Sequence, residues 1–92
     1  MFKKRAIKKY MTDLYPNLVS RYGALTFYSK GQVEVTVLSC GFSYKHVVYA
    51  LAIFLSKDVF EALNVEYPGV DLIAIRKDIA TMFFNGDEEY TY

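Results

Sequence analysis

A chain of 92 residues is long enough to bury roughly two thirds of its unfolded surface in one core, and its 53% hydrophobic and 17% aromatic content against 23% charged excludes a disordered polymer. A single cysteine, Cys40, excludes an intramolecular disulfide and any multi-cysteine metal site, which fits a reducing cytoplasm. The net charge of +1 hides a strong asymmetry: Met1 to His46 carries eight basic and two acidic residues, +6, and Val47 to Tyr92 three basic and eight acidic, −5. Such a charge dipole can steer a partner or support head-to-tail association, unless the two ends neutralise each other within the fold.

In chain order, Phe2, Ala6, Ile7, Tyr10, Met11 and Leu14 recur at helical steps, with Lys4, Arg5, Lys8 and Lys9 on the opposite side. This predicts an amphipathic helix from Phe2 to Leu14. Its charges are interleaved with apolar residues and no continuous apolar region follows, so a secretory signal is not expected. Tyr15-Pro16 is expected to interrupt the helix, and a short second helix from Pro16 to Tyr22 to end at Gly23. Leu25 to Cys40 admits two readings. Alternating Val33, Val35 and Val37 after Lys30-Gly31 suit a β-hairpin, giving an α+β alternative with a hairpin near residues 25–38. Ser29 followed three residues later by Gln32 is a capping-box pattern, with Val33, Val37 and Cys40 at helical spacing and Gly41 as a stop, and the helix is preferred.

From Val47 to Leu55 nine residues in a row are apolar or aromatic, about half of what a membrane helix needs at ~20 residues. A buried central helix is therefore expected, opened by Ser43 as N-cap. Ser56 should start another short helix, Lys57 to Leu63, with Val59, Phe60 and Leu63 inward. After a loop through Tyr67-Pro68-Gly69, a last helix is expected from Val70 to Phe84, with Leu72, Ile75, Ile79, Met82 and Phe83 on its stripe, closed by Asn85-Gly86. Residues 87–92 form an acidic tail expected to fray. The sum is an all-α, compact single-domain bundle of four to six helices around a buried central helix.

Chemistry-bearing patterns are few. Residues 33–51, a helix, a Gly41-Phe42 turn and a second helix carrying Val47, resemble a DNA-binding helix-turn-helix. Val37 is bulky where that motif usually has a small residue, and the second helix offers only Tyr44, Lys45 and His46 as polar groups for base edges. The basic face Lys3, Lys4, Arg5, Lys8 and Lys9 suits phosphates or a membrane surface, although a solvated helix face is the ordinary explanation. Cys40 and His46 could form a thiol–imidazole pair only if they converge, and no third group is evident. One His and one Cys cannot fill a zinc site, and the acids lack calcium-loop spacing, so no catalytic residue, metal or cofactor is assigned. Tyr44, Tyr67, Tyr90 and Tyr92 are candidate partner anchors, or else rim residues of the core.

Tyr22-Gly23, Tyr28-Ser29 with Gln32-Val33 and Val37, Gly41-Phe42, Tyr49-Ala50 with Phe54-Leu55, Arg76 and Phe83-Phe84 give the chain, over nearly its whole length, a resemblance to a small group of short, uncharacterised bacterial proteins. The resemblance implies a compact all-helical fold, favours helix at residues 32–40, and brings no activity, cofactor or catalytic residue. The expected function is that of a small cytoplasmic, non-enzymatic interaction or regulatory domain, with an unknown protein partner or its own copy. The alternative is nucleic-acid binding through residues 33–51 and the basic N-terminal helix. The candidate surface is Lys4, Arg5, Lys8, Lys9, Tyr44, Lys45, Tyr90 and Tyr92.

Overall fold

Capping and breaking residues divide the chain into helices, and the apolar stripes decide how these pack. The computed structural model describes residues 2–42, 44–87 and 90, with side chains from Arg5 onward. The order is α1 (Phe2–Lys9), a π-helical turn (Tyr10–Leu14), α2 (Tyr15–Tyr22), α3 (Lys30–Ser39), α4 (Val47–Phe54), α5 (Lys57–Glu61) with a 3-10 turn (Ala62–Val65), and α6 (Leu72–Phe83). All regular structure among the described residues is helical, and the Cα radius of gyration is 12.1 Å, against about 12 Å for a compact chain of this length.

Pro16 does not interrupt the first helix as expected. Proline lacks the N–H that a regular turn would use, and its ring would collide with the carbonyl four residues back. The π turn answers both problems one residue earlier: the Tyr15 N–H donates to the Tyr10 carbonyl, an i to i−5 bond, and Pro16 falls at the start of α2. The wider turn also leaves Ile7, Tyr10, Leu14 and Leu18 all buried. Gly23, with φ of +87°, ends this rod and donates its N–H to the Val19 carbonyl.

The segment from 25 to 40 resolves to an irregular stretch with bends at Thr26 and Phe27 and then α3, not a hairpin. Both capping-box bonds form: the Gln32 N–H donates to Ser29 Oγ at 3.1 Å, and the Ser29 N–H to Gln32 Oε1 at 3.0 Å. A nucleus fixed this way carries the β-branched run Val33, Val35, Thr36, Val37 through a helix it would not choose unaided. Thr36 is buried at no polar cost, because its hydroxyl donates to the Gln32 carbonyl at 2.7 Å.

α4 begins at Val47, three residues later than a Ser43 N-cap would place it; Ser43 lies outside the described residues, and the helix has no side-chain N-cap. Ala50, Leu51, Ala52, Ile53, Phe54 and Leu55 are buried, as is Val47. Against this helix pack α3, α5, α6 and the π turn. Ser56 caps α5, accepting from the Val59 N–H at 3.4 Å. Val59 turns outward instead of inward, leaving Phe60 and Leu63 to the core. Asp71 caps α6 by accepting from the Ala74 N–H at 3.0 Å, and Asn85 and Gly86, both at positive φ, close it as the Gly86 N–H reaches the Ala80 carbonyl. No described helix is long and apolar enough to cross a membrane.

Because the capping box decides between helix and hairpin, Ser29→Ala should cost about 1 kcal/mol and lower Tm by about 4–8 °C. Thermal unfolding followed by circular dichroism checks this; an unchanged Tm would mean that tertiary packing alone holds α3.

Candidate functional site

Two polar constellations stand out, one inside the core and one on its surface. The inner one lies at the C-terminal end of α4, where the last carbonyls have no helical donor and no access to water. Tyr28 donates its N–H to the Phe54 carbonyl at 2.8 Å. The Ala52 carbonyl accepts twice, from Arg76 Nη1 at 3.3 Å and from the Tyr90 hydroxyl at 2.7 Å. Arg76 is only 3% exposed; its guanidinium lies 4.2 Å from the centre of the Tyr90 ring, which stacks in turn on Phe84 at 4.4 Å. A cation at the negative end of a helix dipole and over an aromatic face recovers part of its desolvation cost. Tyr90, expected in a frayed tail as a partner anchor, is thus a core residue, while Asp87, three residues earlier in the sequence, is exposed. Burial pushes its hydroxyl up to about 12, against the opposing pull of Arg76; burial does the same to Tyr10, also to about 12.

The outer constellation is centred on Glu34, halfway along α3. Its carboxylate accepts from Lys30 Nζ at 3.0 Å, from the Tyr44 hydroxyl at 3.1 Å and, at the limit, from the Tyr67 hydroxyl at 3.5 Å. Lys30 also lies 3.6 Å from Glu66. The hydrogen bond from Lys30 to Glu34 raises the lysine above its ordinary pKa, and burial together with Glu34 raises both tyrosines. Glu34 therefore ties α3 to the turn before α4 and to the loop before α6. Beside it, Val35 and Leu38 are 50% and 62% exposed on the outer side of α3, and Tyr44 is 44% exposed. The i,i+4 pair Lys30 and Glu34 was visible in the sequence. The convergence of Tyr44 and Tyr67, ten and 33 residues away, was not.

The remaining sequence candidates scatter. Arg5, Lys8 and Lys9 are exposed along α1, and Lys45 is exposed in the turn before α4. The side chain of Lys4, and Tyr92 as a whole, lie outside the described residues. Cys40 is half-buried, and the His46 ring packs edge-on against Tyr49 at 6.1 Å. Among the described residues no three His, Cys, Asp or Glu side chains are placed to share a metal ion. The second helix of the helix-turn-helix pattern is α4, most of which is buried, with Val48 and Tyr49 half-buried and no polar side chain but the Tyr49 hydroxyl to offer a DNA groove.

Tyr10 and Tyr90 set the alkaline limit of the fold. In the unfolded chain a tyrosine loses its proton near pH 10, whereas these two keep theirs to about 12. The stability they contribute is intact below pH 10 and is lost as pH rises through 12. Chemical denaturation at stepped pH should show that fall. Tyr90→Phe should flatten it while costing about 1–2 kcal/mol at neutral pH through the lost bond to Ala52.

No curated protein and no solved structure matches the chain. Over residues 1–92, its whole length, the chain matches the family described as a family of unknown function (DUF6559), and to that family it belongs.

Proposed function

We propose that the chain is a non-enzymatic protein-interaction domain of the bacterial cytoplasm whose contact face is the outer side of α3 with Tyr44. The observation that carries this reading is the exposure of Val35 and Leu38 on a helix whose inner residues, Val33, Thr36 and Val37, already complete the core. These outward apolar side chains leave half or more of their surface in solvent. They supply what an interface centre needs: apolar anchors, a tyrosine with its hydroxyl fixed by Glu34, and a charged rim at Lys30 and Glu66. A preformed patch loses little side-chain freedom on binding.

Nucleic-acid binding is the second reading. With α4 enclosed it narrows to phosphate contacts from Arg5, Lys8 and Lys9, which α1 holds in solvent. Such binding would weaken steeply with salt and ignore sequence.

The test of the contact face uses Leu38→Asp and Tyr44→Ala, neither of which touches the inner side of α3. Both variants should keep the wild-type circular dichroism spectrum and lose a cross-linked or co-purified protein partner that wild type retains. Partners retained equally by both variants would remove α3 as the contact face. Salt-sensitive shifts of short duplex or single-stranded DNA, abolished by Lys8→Glu with Lys9→Glu, would favour the second reading instead.

A further inference from the structure

Part of the charge asymmetry of the sequence is left without ion pairs among the described residues. Arg5, Lys8 and Lys9 lie exposed on α1, and among the described residues no ion pair holds any of them. The same is true of Asp58 and Glu61 on α5. α5 and α6 pack against each other and against α4, and α1 is not an element they pack against extensively. Arg5, Lys8 and Lys9 are therefore not the intramolecular counterions of Asp58 and Glu61. At the acidic end is a groove of about 340 Å³, lined by Glu61, Asn64, Val70, Asp71, Leu72 and Ile73. Its wall is partly apolar and incompletely covered: Val70 is 40% exposed and Ile73 59%, with Val59 and Val65 exposed on the neighbouring turns.

We infer that this groove receives the basic face of α1 from a second copy of the chain, forming a head-to-tail contact distinct from the α3 face. The charges favour this occupant. Lysine and arginine carry apolar stems that can cover Val70 and Ile73 while their heads stay near carboxylates. Glu61 and Asp71 supply those carboxylates on the groove wall, with Asp58 on the same short helix. The Lys8 and Lys9 charges sit in the last turn of α1, immediately before the π turn. An acid-rimmed apolar groove and a stem-bearing basic helix are complementary in charge and in the kind of surface each offers. Because the two surfaces are different patches, the contact is heterologous. It propagates into a ring or an open chain and is not limited to a two-fold dimer.

The contact predicts a concentration-dependent average mass in sedimentation velocity, rising beyond twice that of the monomer and collapsing to monomer near 1 M salt, where screening acts within about 3 Å. Lys8→Glu with Lys9→Glu should abolish the rise, and so should Glu61→Lys. Neither change touches the core or the Asp71 cap. Mixing the two variants should restore association, because the first retains an intact groove and the second an intact basic helix, and the two reversed surfaces are again opposite in charge. Leu38→Asp should leave all of this unchanged, which separates the contact from the α3 face. A wild-type chain that stays monomeric at low salt and high concentration overturns the inference. So does association that survives both charge reversals, or a basic face whose reversal removes only binding to added DNA.

Discussion

The structure depends on what happens to the last carbonyls of α4. A helix of eight apolar or aromatic residues with most of its faces covered gains stability from burial, but its C-terminal end must then find donors inside the protein. An unmet buried carbonyl costs about 1–3 kcal/mol, a large share of the marginal stability of a small domain. Three remote segments supply the donors. Tyr28, just before α3, meets the Phe54 carbonyl; Arg76 from α6 and Tyr90 beyond it meet the Ala52 carbonyl. The end of α4 thereby fixes the entry to α3, the rotation of α6 and the path of the chain after α6. Tyr28 is itself anchored, its hydroxyl donating to the Gly23 carbonyl at 2.6 Å and its ring meeting Phe54 edge-on. The cap at Gly23 and the end of α4 are thus one structural unit.

That dependence explains which parts of the fold were legible. Local signals held where the physics is local: the Ser29 and Gln32 capping box, the Ser56 cap, the Gly23 stop, and the Asn85-Gly86 terminus are each decided within a few residues. Arg76 and Tyr90 are decided by a carbonyl 24 and 38 residues away. Nothing near Tyr90 signals this, because its neighbours are acidic and read as solvent-facing. Pro16 misled for a related reason. The rule that proline breaks helices assumes regular hydrogen bonding before it, and the chain evades that assumption with one wide turn. Of the candidate surface, Tyr44 was readable as an exposed ring at the turn into α4. Its hydroxyl's partner, Glu34, was not, since Tyr44 and Tyr67 meet it only through tertiary packing.

The core also separates structure from function. Arg76 is a buried cation with an aromatic partner, which in an open cleft would suggest an anion site. Here it is only 3% exposed, and both its guanidinium and the Tyr90 hydroxyl are turned to a backbone carbonyl. The most chemically suggestive pair in the protein is thereby occupied in holding the end of a helix. What stays outside the core includes Val35 and Leu38 on α3 and Arg5, Lys8 and Lys9 on α1.

The separation of charge is the harder feature to explain by folding alone. A chain of net charge +1 could have scattered its signs and avoided local repulsion among Arg5, Lys8 and Lys9 on one short helix, where like charges three and four residues apart destabilise. Nor does the helix dipole justify the arrangement in full: Lys8 and Lys9 stand favourably in the last turn of α1, but Arg5 lies further back. On the acidic side, Asp71 earns its place as a cap and Asp58 by standing in the first turn of α5, whereas Glu61 has no such local role. The residues without a local justification, Arg5 and Glu61, are on the two surfaces that the proposed contact between copies would bring together. Such a contact would give those charges an energetic reason to stay where they are without requiring anything of the core, where Arg76 and Tyr90 are committed to the Ala52 carbonyl.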